Sequence, residues 1–479
     1  MYKAYITVLT NVRKHPNADR LLLADVFGNT VCVSLDYAEG EVGVYFPTDG
    51  QLSAEFAEKN NLVRKKDDAG NNIGGYMDPD KRNVTTIRLR GEKSDGLFLP
   101  LSCLTYTGVD MDTLNVGDVI EGTVNGHDIC QKYIPRIQHR QGTPSAGSKT
   151  RKHKVNVAPL FAEHADTEQL AYNLGAFKPG DEIEITLKLH GTSTRTAYLP
   201  VLKGYKRTIW DRLFRRQGTP IYDWGYVSGT RRTVLENWEG GYYGDNAFRE
   251  PHCKVFEGKL YKGETVYSEI VGFTGFGAPI MGSCDNKKLN DKEFIKQYGP
   301  TTVFSYGCDP VGGPDIDGRE DENGYLPRLP QSDLYVYRMT MTNEDGYVVE
   351  YPPHLVRYRC EQMGVKCVPL LWKGTIPENE DVLYVDRDGD DVADADEILY
   401  VKKTDPGEWI LKKAEEYGVG ADPVGKTHVR EGVVVRIVNR AGFSAYKWKN
   451  FEFKCLEGLV KANAEAPDME EVQEISDAE

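Results

Sequence analysis

No stretch of this 479-residue chain stays apolar for the ~20 residues that a membrane-spanning helix needs, which argues against a role inside a bilayer. The opening segment, MYKAYITVLTNVRKHPNADR, turns polar too early for a secretory signal. Cysteine offers no framework: the nine are odd in number, scattered, and never spaced as CxxC. That disfavours a disulfide scaffold or a structural zinc site and points to a reducing cytoplasm. No internal repeat is visible. Excess positive charge is missing too, the net charge being −14.

The deficit is local. Residues 375–400 carry ten acids against Arg387, a net of −9, and residues 464–479 carry seven acids and no base. Setting aside those sixteen negative charges leaves +2 for the rest. Within that rest, residues 129–154 have seven Lys/Arg and no acid, and residues 202–216 have six against Asp211. A phosphate backbone responds to such local stretches, although a basic linker and a solvated loop would read the same way.

The length calls for two to four domains. Residues 1–125 contain short apolar or alternating runs (AYITVLTNV, RLLLADVFG, TVCVSL, VGVYFP) split by turn residues, a pattern that suits a small β-barrel of the OB type. Residues 126–157 read as a basic linker around GTPSAGS. Residues 158–461 alternate strands with short helical stretches, as in a larger α+β domain, and 462–479 form an acidic tail expected to be disordered. ADTEQLAYNLGAF, with Asp166 as a cap, predicts a helix, and residues 456–472 predict a closing helix interrupted by Pro467.

Four strand-borne groups carry the chemistry. LKLHGTS, Leu187 to Ser193, puts Lys188 at the end of an apolar strand before a glycine turn. A nucleophilic lysine must be neutral near pH 7, and burial or neighbouring cations supply that shift. Gly191 would let backbone approach a nucleotide. VYSEIVGF carries Glu269 between apolar neighbours, and VREGVVVRIV carries Glu431 at a strand start. YKWKN alternates so that Lys447 and Lys449 share one face. Two carboxylates suit a hydrated Mg²⁺ or Mn²⁺, and three lysines suit the α-phosphate of a nucleotide.

This series of motifs resembles the covalent nucleotidyltransferase superfamily, and within it the RNA ligase 2-like branch, whose lysine motif is KxHG where DNA ligases and capping enzymes carry KxDGxR. HPNADRL, His15 to Leu21, with TIRLRGEKSDGLFLPLS, Thr86 to Ser102, resembles both the N-terminal OB domain of certain RNA ligases and a tRNA-binding OB module of some synthetases. The resemblance implies an α+β fold with an N-terminal OB-type β-barrel and a larger nucleotidyltransferase domain. It implies ATP as cofactor with Mg²⁺ or Mn²⁺, and RNA with 3′-OH and 5′-phosphate ends, as a nicked duplex or tRNA, as partner. No protein partner is implied.

By resemblance Lys188 forms the lysyl-AMP, with His190 and Gly191 completing its motif. Arg231 or Arg232 of SGTRRT would contact phosphate, with Arg232 taken for the site. Glu269 would lie near ribose and metal water, Glu431 would organise metal, and Lys447 and Lys449 would flank the α-phosphate. DLYVYRMT would pack on adenine. Three positions depart from the pattern: Ser193 replaces an Asn, Leu187 replaces a Glu, and Leu334 takes the place of the stacking aromatic with Tyr335 beside it.

Two readings stay open beside this one: a non-catalytic RNA-binding protein with a relic domain, and a DNA ligase or capping guanylyltransferase. Asp386, Asp388, Asp390, Asp394 and Glu397 are spaced like a Ca²⁺ loop, but Asp391 stands where the turn wants Gly. A solvated acidic insertion is the preferred reading of that segment.

Overall fold

The computed structural model describes residues 2–66, 70, 72–133, 157–214, 216–235, 238, 246–275, 277–311, 330–384 and 398–462. Most of the basic linker, the calcium-like loop from Asp386 to Glu397 and the acidic tail lie outside them. The chain divides into two compact units. The described helices include none long and apolar enough to cross a membrane.

The first unit comprises Met1–Arg136, Lys287–Asp291 and Phe451–Ala464. Its strands are short and mostly buried on the side of the core, with Thr10–Lys14 left without a buried residue. Leu97–Pro100, Val42–Phe46, Ala4–Val8 and Val119–Ile120 form a four-stranded antiparallel sheet, and Thr10–Lys14, Leu21–Val26 and Asn29–Ser34 a three-stranded one. Val44, Phe46, Leu52, Phe56 and Leu104 fill the core beneath. The unit is strand-rich as expected, but the described ladders do not close into a barrel. Closure depends on pairing between strands distant in sequence, which local alternation does not encode.

The HPNADRL phrase meets the later IRLRG phrase in this unit. His15 is buried, its Nδ1 accepts from the Asn17 N–H, and its Nε2 lies 3.0 Å from the Leu89 carbonyl. The Asn17 side chain donates to the Arg90 carbonyl. The closing helix, Phe451–Ala462, begins earlier than its sequence suggested and groups with this unit. Glu452 pairs with Arg88 at 3.0 Å, Lys454 pairs with the buried Asp95, and Arg88 and Lys93 lie over the Phe451 ring.

The second unit holds two main sheets, antiparallel apart from the short pairings of Glu168–Gln169 and Lys366–Cys367. Its strands are β1 (Glu182–Lys188), β2 (Thr192–Lys206), β3 (Thr219–Gly229), β4 (Glu264–Gly272), β5 (Ser332–Thr342), β6 (Leu370–Thr375), β7 (Gly432–Ile437) and β8 (Ala445–Lys449). One sheet runs from Glu168–Gln169 through β8, β7 and β1 to β6, and the other runs from Val234–Leu235 through β3, β2, β4 and β5 to Val348–Glu350. Ile183, Ile185, Val433, Val435 and Ile437 point to one face of the first sheet. There they pack on Ile410 and Ala414 of helix α1 (Pro406–Gly418), each buried Ile or Val contributing about 1.5–3 kcal/mol. Asp405 caps that helix by accepting from the Gly407 and Glu408 N–H groups, and Pro406 opens it.

One predicted helix is absent. Residues 166–177 form a short strand and two 3₁₀ turns, Leu170–Tyr172 and Leu174–Ala176. The backbone of Glu168–Gln169 pairs in parallel with Tyr446 and Lys447, so a tertiary ladder takes the hydrogen bonds that a helix would have used. The acidic insertion is flanked by a hairpin of Asn379–Tyr384 with Ile398–Lys403.

Candidate active site

The site forms where the chain leaves one sheet for the other. β1 ends at Lys188, Leu189–Gly191 make the crossing, and β2 begins at Thr192. Because Ile183, Ile185 and Leu187 face inward, Lys188 shares the opposite face with Glu184 and Thr186. Register then assembles the cluster: Lys188 pairs with Gly432, Gly432 with Lys449, and Val434 with Lys447. Lys188, Lys447 and Lys449 therefore rise from one face, and Glu431 enters at the start of β7.

Glu431 is 2 % exposed. Its Oε1 lies 2.6 Å from the Lys188 ammonium and 3.7 Å from that of Lys449. Its Oε2 has no hydrogen-bond partner among the described residues, with His190 Nδ1 at 4.0 Å. Burial pushes the Lys447 ammonium down to about 8, and the charges of Lys449, Lys188 and Arg231 push in the same direction. Three lysines on one face, two of them against one buried carboxylate, are suited to an anionic phosphate.

The second sheet supplies Glu269. Ser193, Glu269 and Tyr335 stand directly opposite one another on β2, β4 and β5, hence on one face. Glu269 accepts from the Gly191 N–H at 3.1 Å and from the Ser193 hydroxyl at 3.2 Å. Leu334 pairs with Ile270 and takes the other face, so the Glu269 face carries Tyr335 rather than Leu334. The Tyr335 hydroxyl donates to Asp333, which also binds Lys366. Leu187 is buried in the first sheet.

Two sequence readings acquire different physical reasons. A side chain at Gly191 would collide with the carbonyl of Ile270, so the glycine lets the crossing pass close to β4. Of the two arginines, Arg231 contributes to the field at Lys447, while both pair with Asp166, at 3.5 and 3.6 Å, and Arg232 is the more exposed.

Four residues escaped the sequence reading. The Tyr306 hydroxyl accepts from the His190 N–H at 2.7 Å, which ties down the turn after the lysine. Its ring packs edge-on against His428, and Phe304 bridges His190 and His428 in the same way. Asp422 lies behind, its Oδ1 accepting from the Val424 and Gly425 N–H groups. Burial raises the Asp422 carboxyl and lowers the His428 imidazole, so both favour their neutral forms. The sequence signal for His428 was its place just before VREG; Tyr306 offered none, although its positive φ of 49° marks a constrained position.

No protein-family model matches the chain, and no curated protein does. Among solved structures, the chain is similar to the Naegleria gruberi RNA ligase. A lysine-to-alanine variant of that ligase with ATP and Mn shares 15% identity over 94% of this chain and 98% of that one, with a TM-score of 0.51. An apo variant shares 16% identity over 94% and 97%, again at 0.51. A form with pyrophosphate shares 15% identity over 94% and 97%, at 0.50. At such identity the likeness is one of fold, and it extends over nearly the whole of both chains.

Proposed function

We propose that this chain is an ATP-dependent RNA ligase that adenylates Lys188 and joins RNA 3′-OH and 5′-phosphate ends. The observation that carries the reading is the register of three strands, which sets Lys188, Lys449 and Lys447 on one face, the first two against the buried Glu431, at the crossing between two sheets. The full-length fold likeness to a ligase solved with ATP and Mn supports it.

In the first step the neutral amine of Lys188 attacks the α-phosphorus of ATP. A P–N bond forms, the bond to the bridging oxygen breaks, and pyrophosphate leaves. AMP then passes to the RNA 5′-phosphate, and the RNA 3′-OH displaces it to close the phosphodiester. Each step is an in-line displacement, so the residues act by positioning and charge neutralisation. Lys447 and Lys449 meet the charge gathering on the α-phosphate, and Glu269, with Ser193 and Tyr335 beside it, faces the nucleoside. Tyr306 holds the His190 backbone and thereby the turn that carries the nucleophile.

The donor set fits a divalent cation. Glu431 Oε2 is a buried carboxylate oxygen without a hydrogen-bond partner among the described residues. No group of three or more metal-binding side chains exists among those residues. The buried Glu431 oxygen suits Mg²⁺ or Mn²⁺ bound through one or two carboxylates, water and nucleotide phosphate. Glu431, with Glu269 through water, would hold the ion, which would supply positive charge to the phosphates and compete for the carboxylate that pairs with Lys188. The strand-rich first unit would serve as the RNA-binding OB domain, and the cytoplasm as the setting.

The test is to incubate the protein with Mg²⁺ or Mn²⁺ and ATP labelled at the α-phosphate, then follow label on the denatured chain. Label from ATP but not GTP, absent in Lys188→Ala, is the expected result. No label from either nucleotide, on protein first stripped with pyrophosphate, would instead favour a relic domain that only binds RNA.

A further inference from the structure

The hairpin of β2 and β3 reaches well beyond the site. Only Thr192–Ala197 of β2 pairs with β4, while pairing with β3 continues to Lys206. One face of this extension is buried: Ala197, Leu199, Val201 and Val227 pack with Phe161 and Ala158. The opposite face carries Tyr198, Pro200 and Leu202 across from Tyr226, Trp224 and Tyr222, all half-buried. Tyr198 stacks on Tyr226 with centroids 4.7 Å apart and lies 5.8 Å from Trp224, over which Lys262 projects.

At the tip, Ile209–Leu213 makes one helical turn. Trp210 is 66 % and Phe214 60 % exposed, and their rings lie within 13° of parallel at 6.1 Å. The Arg216 guanidinium sits 5.6 Å over Phe214, and Lys206 and Arg207 are exposed on the strand end that leads into the tip. Asp211, the only acid of residues 202–216, accepts from the Thr208 N–H and hydroxyl, so its charge is directed into the turn.

Exposed parallel rings bordered by cations match one chemistry closely. Every nucleobase presents a π-face that stacks on an aromatic side chain, and the phosphates between bases seek Lys and Arg. A protein partner would instead favour an apolar centre depleted of charge. We propose that the β2–β3 hairpin docks an unpaired RNA strand, with bases stacked on Trp210 and Phe214 and phosphates on Lys206, Arg207 and Arg216. RNA is expected here on the strength of the ligase reading, and the hairpin deepens that reading by supplying a substrate contact remote from Lys188.

The experiment measures binding of a fluorescent, unstructured RNA oligonucleotide to the full chain across a salt series. Two double variants are compared with the parent: Trp210→Ala with Phe214→Ala, and Lys206→Glu with Arg207→Glu. Each should weaken binding about tenfold or more, the aromatic variant through lost base stacking and the charge variant through lost phosphate contacts. The charge variant should also flatten the salt slope by about 1.4, at ~0.7 per single-strand phosphate contact, while the aromatic variant leaves it unchanged. Adenylate label on Lys188 should match the parent in both, which doubles as a folding check. RNA binding indifferent to both variants, or absent in the parent, overturns the proposal. So does loss of binding to phosphatidylserine vesicles with RNA binding intact, which would make the hairpin a membrane contact. A labelled Lys188 with hairpin-independent RNA binding sinks the hairpin alone. Hairpin-dependent binding without any label sinks the ligase reading alone.

Discussion

The ammonium of Lys188 lies 2.6 Å from Oε1 of Glu431, and Lys449 reaches the same oxygen at 3.7 Å. One buried carboxylate thus serves two lysines, and the two partners should respond unequally to removal. Lys188→Ala leaves Glu431 its contact with Lys449, so stability should fall by only about 1–2 kcal/mol while adenylation vanishes. Glu431→Ala leaves both ammoniums without their carboxylate and should cost about 3–5 kcal/mol as well as activity. Denaturant unfolding with adenylate labelling compares them, and equal destabilisation would contradict the shared-carboxylate arrangement.

Lys447 ties stability to pH. Burial holds its ammonium at about 8, below the ordinary lysine value, so folding costs free energy wherever the unfolded chain keeps the proton. Native stability contributed by this residue should rise between about pH 8 and pH 10.5 and stay low below pH 8. Lys447→Met should therefore be more stable than the parent at pH 7, by about 1–3 kcal/mol, and its advantage should shrink as pH rises through that window. Adenylation should fall at least tenfold in the same variant. Thermal melts from pH 7 to 10 decide it, and a less stable methionine variant at pH 7 would refute the burial argument.

Tyr306→Phe keeps the ring against His428 but removes the oxygen that accepts from the His190 N–H. Leaving that donor without its acceptor should cost about 1–3 kcal/mol, and a looser turn should slow Lys188 labelling roughly tenfold. Rapid-quench labelling at saturating ATP gives the rate. Parent-like rate and stability together would remove Tyr306 from the site.

Truncation should separate the two units. A piece spanning residues 137–450 drops the closing helix, whereas 137–479 keeps it without Arg88, Lys93 and Asp95, its partners in the first unit. The longer piece should aggregate through the apolar side of that helix, where Phe453 and Leu456 are fully buried in the intact chain. The shorter one should stay soluble, adenylate Lys188 and fail to seal RNA. Complete sealing by residues 137–450 would overturn the assignment of RNA handling to the first unit.

Sequence alone determined which residues could act and which way each strand turns them. Alternation with period two separates Ile183, Ile185 and Leu187 from Lys188, and sets Lys447 beside Lys449, because successive side chains of a strand must point to opposite faces. Only the tertiary structure decided the partnerships. Pairing register put Lys188 in line with Gly432 and Lys449, and Tyr335 rather than Leu334 with Glu269. Tyr306 reached the lysine turn from a distant segment with no local pattern to announce it. The would-be helix at residues 166–177 yielded to a ladder with β8. In each case the energy lies in contacts between residues remote in sequence, and a local pattern carries no information about which remote backbone or side chain will be there.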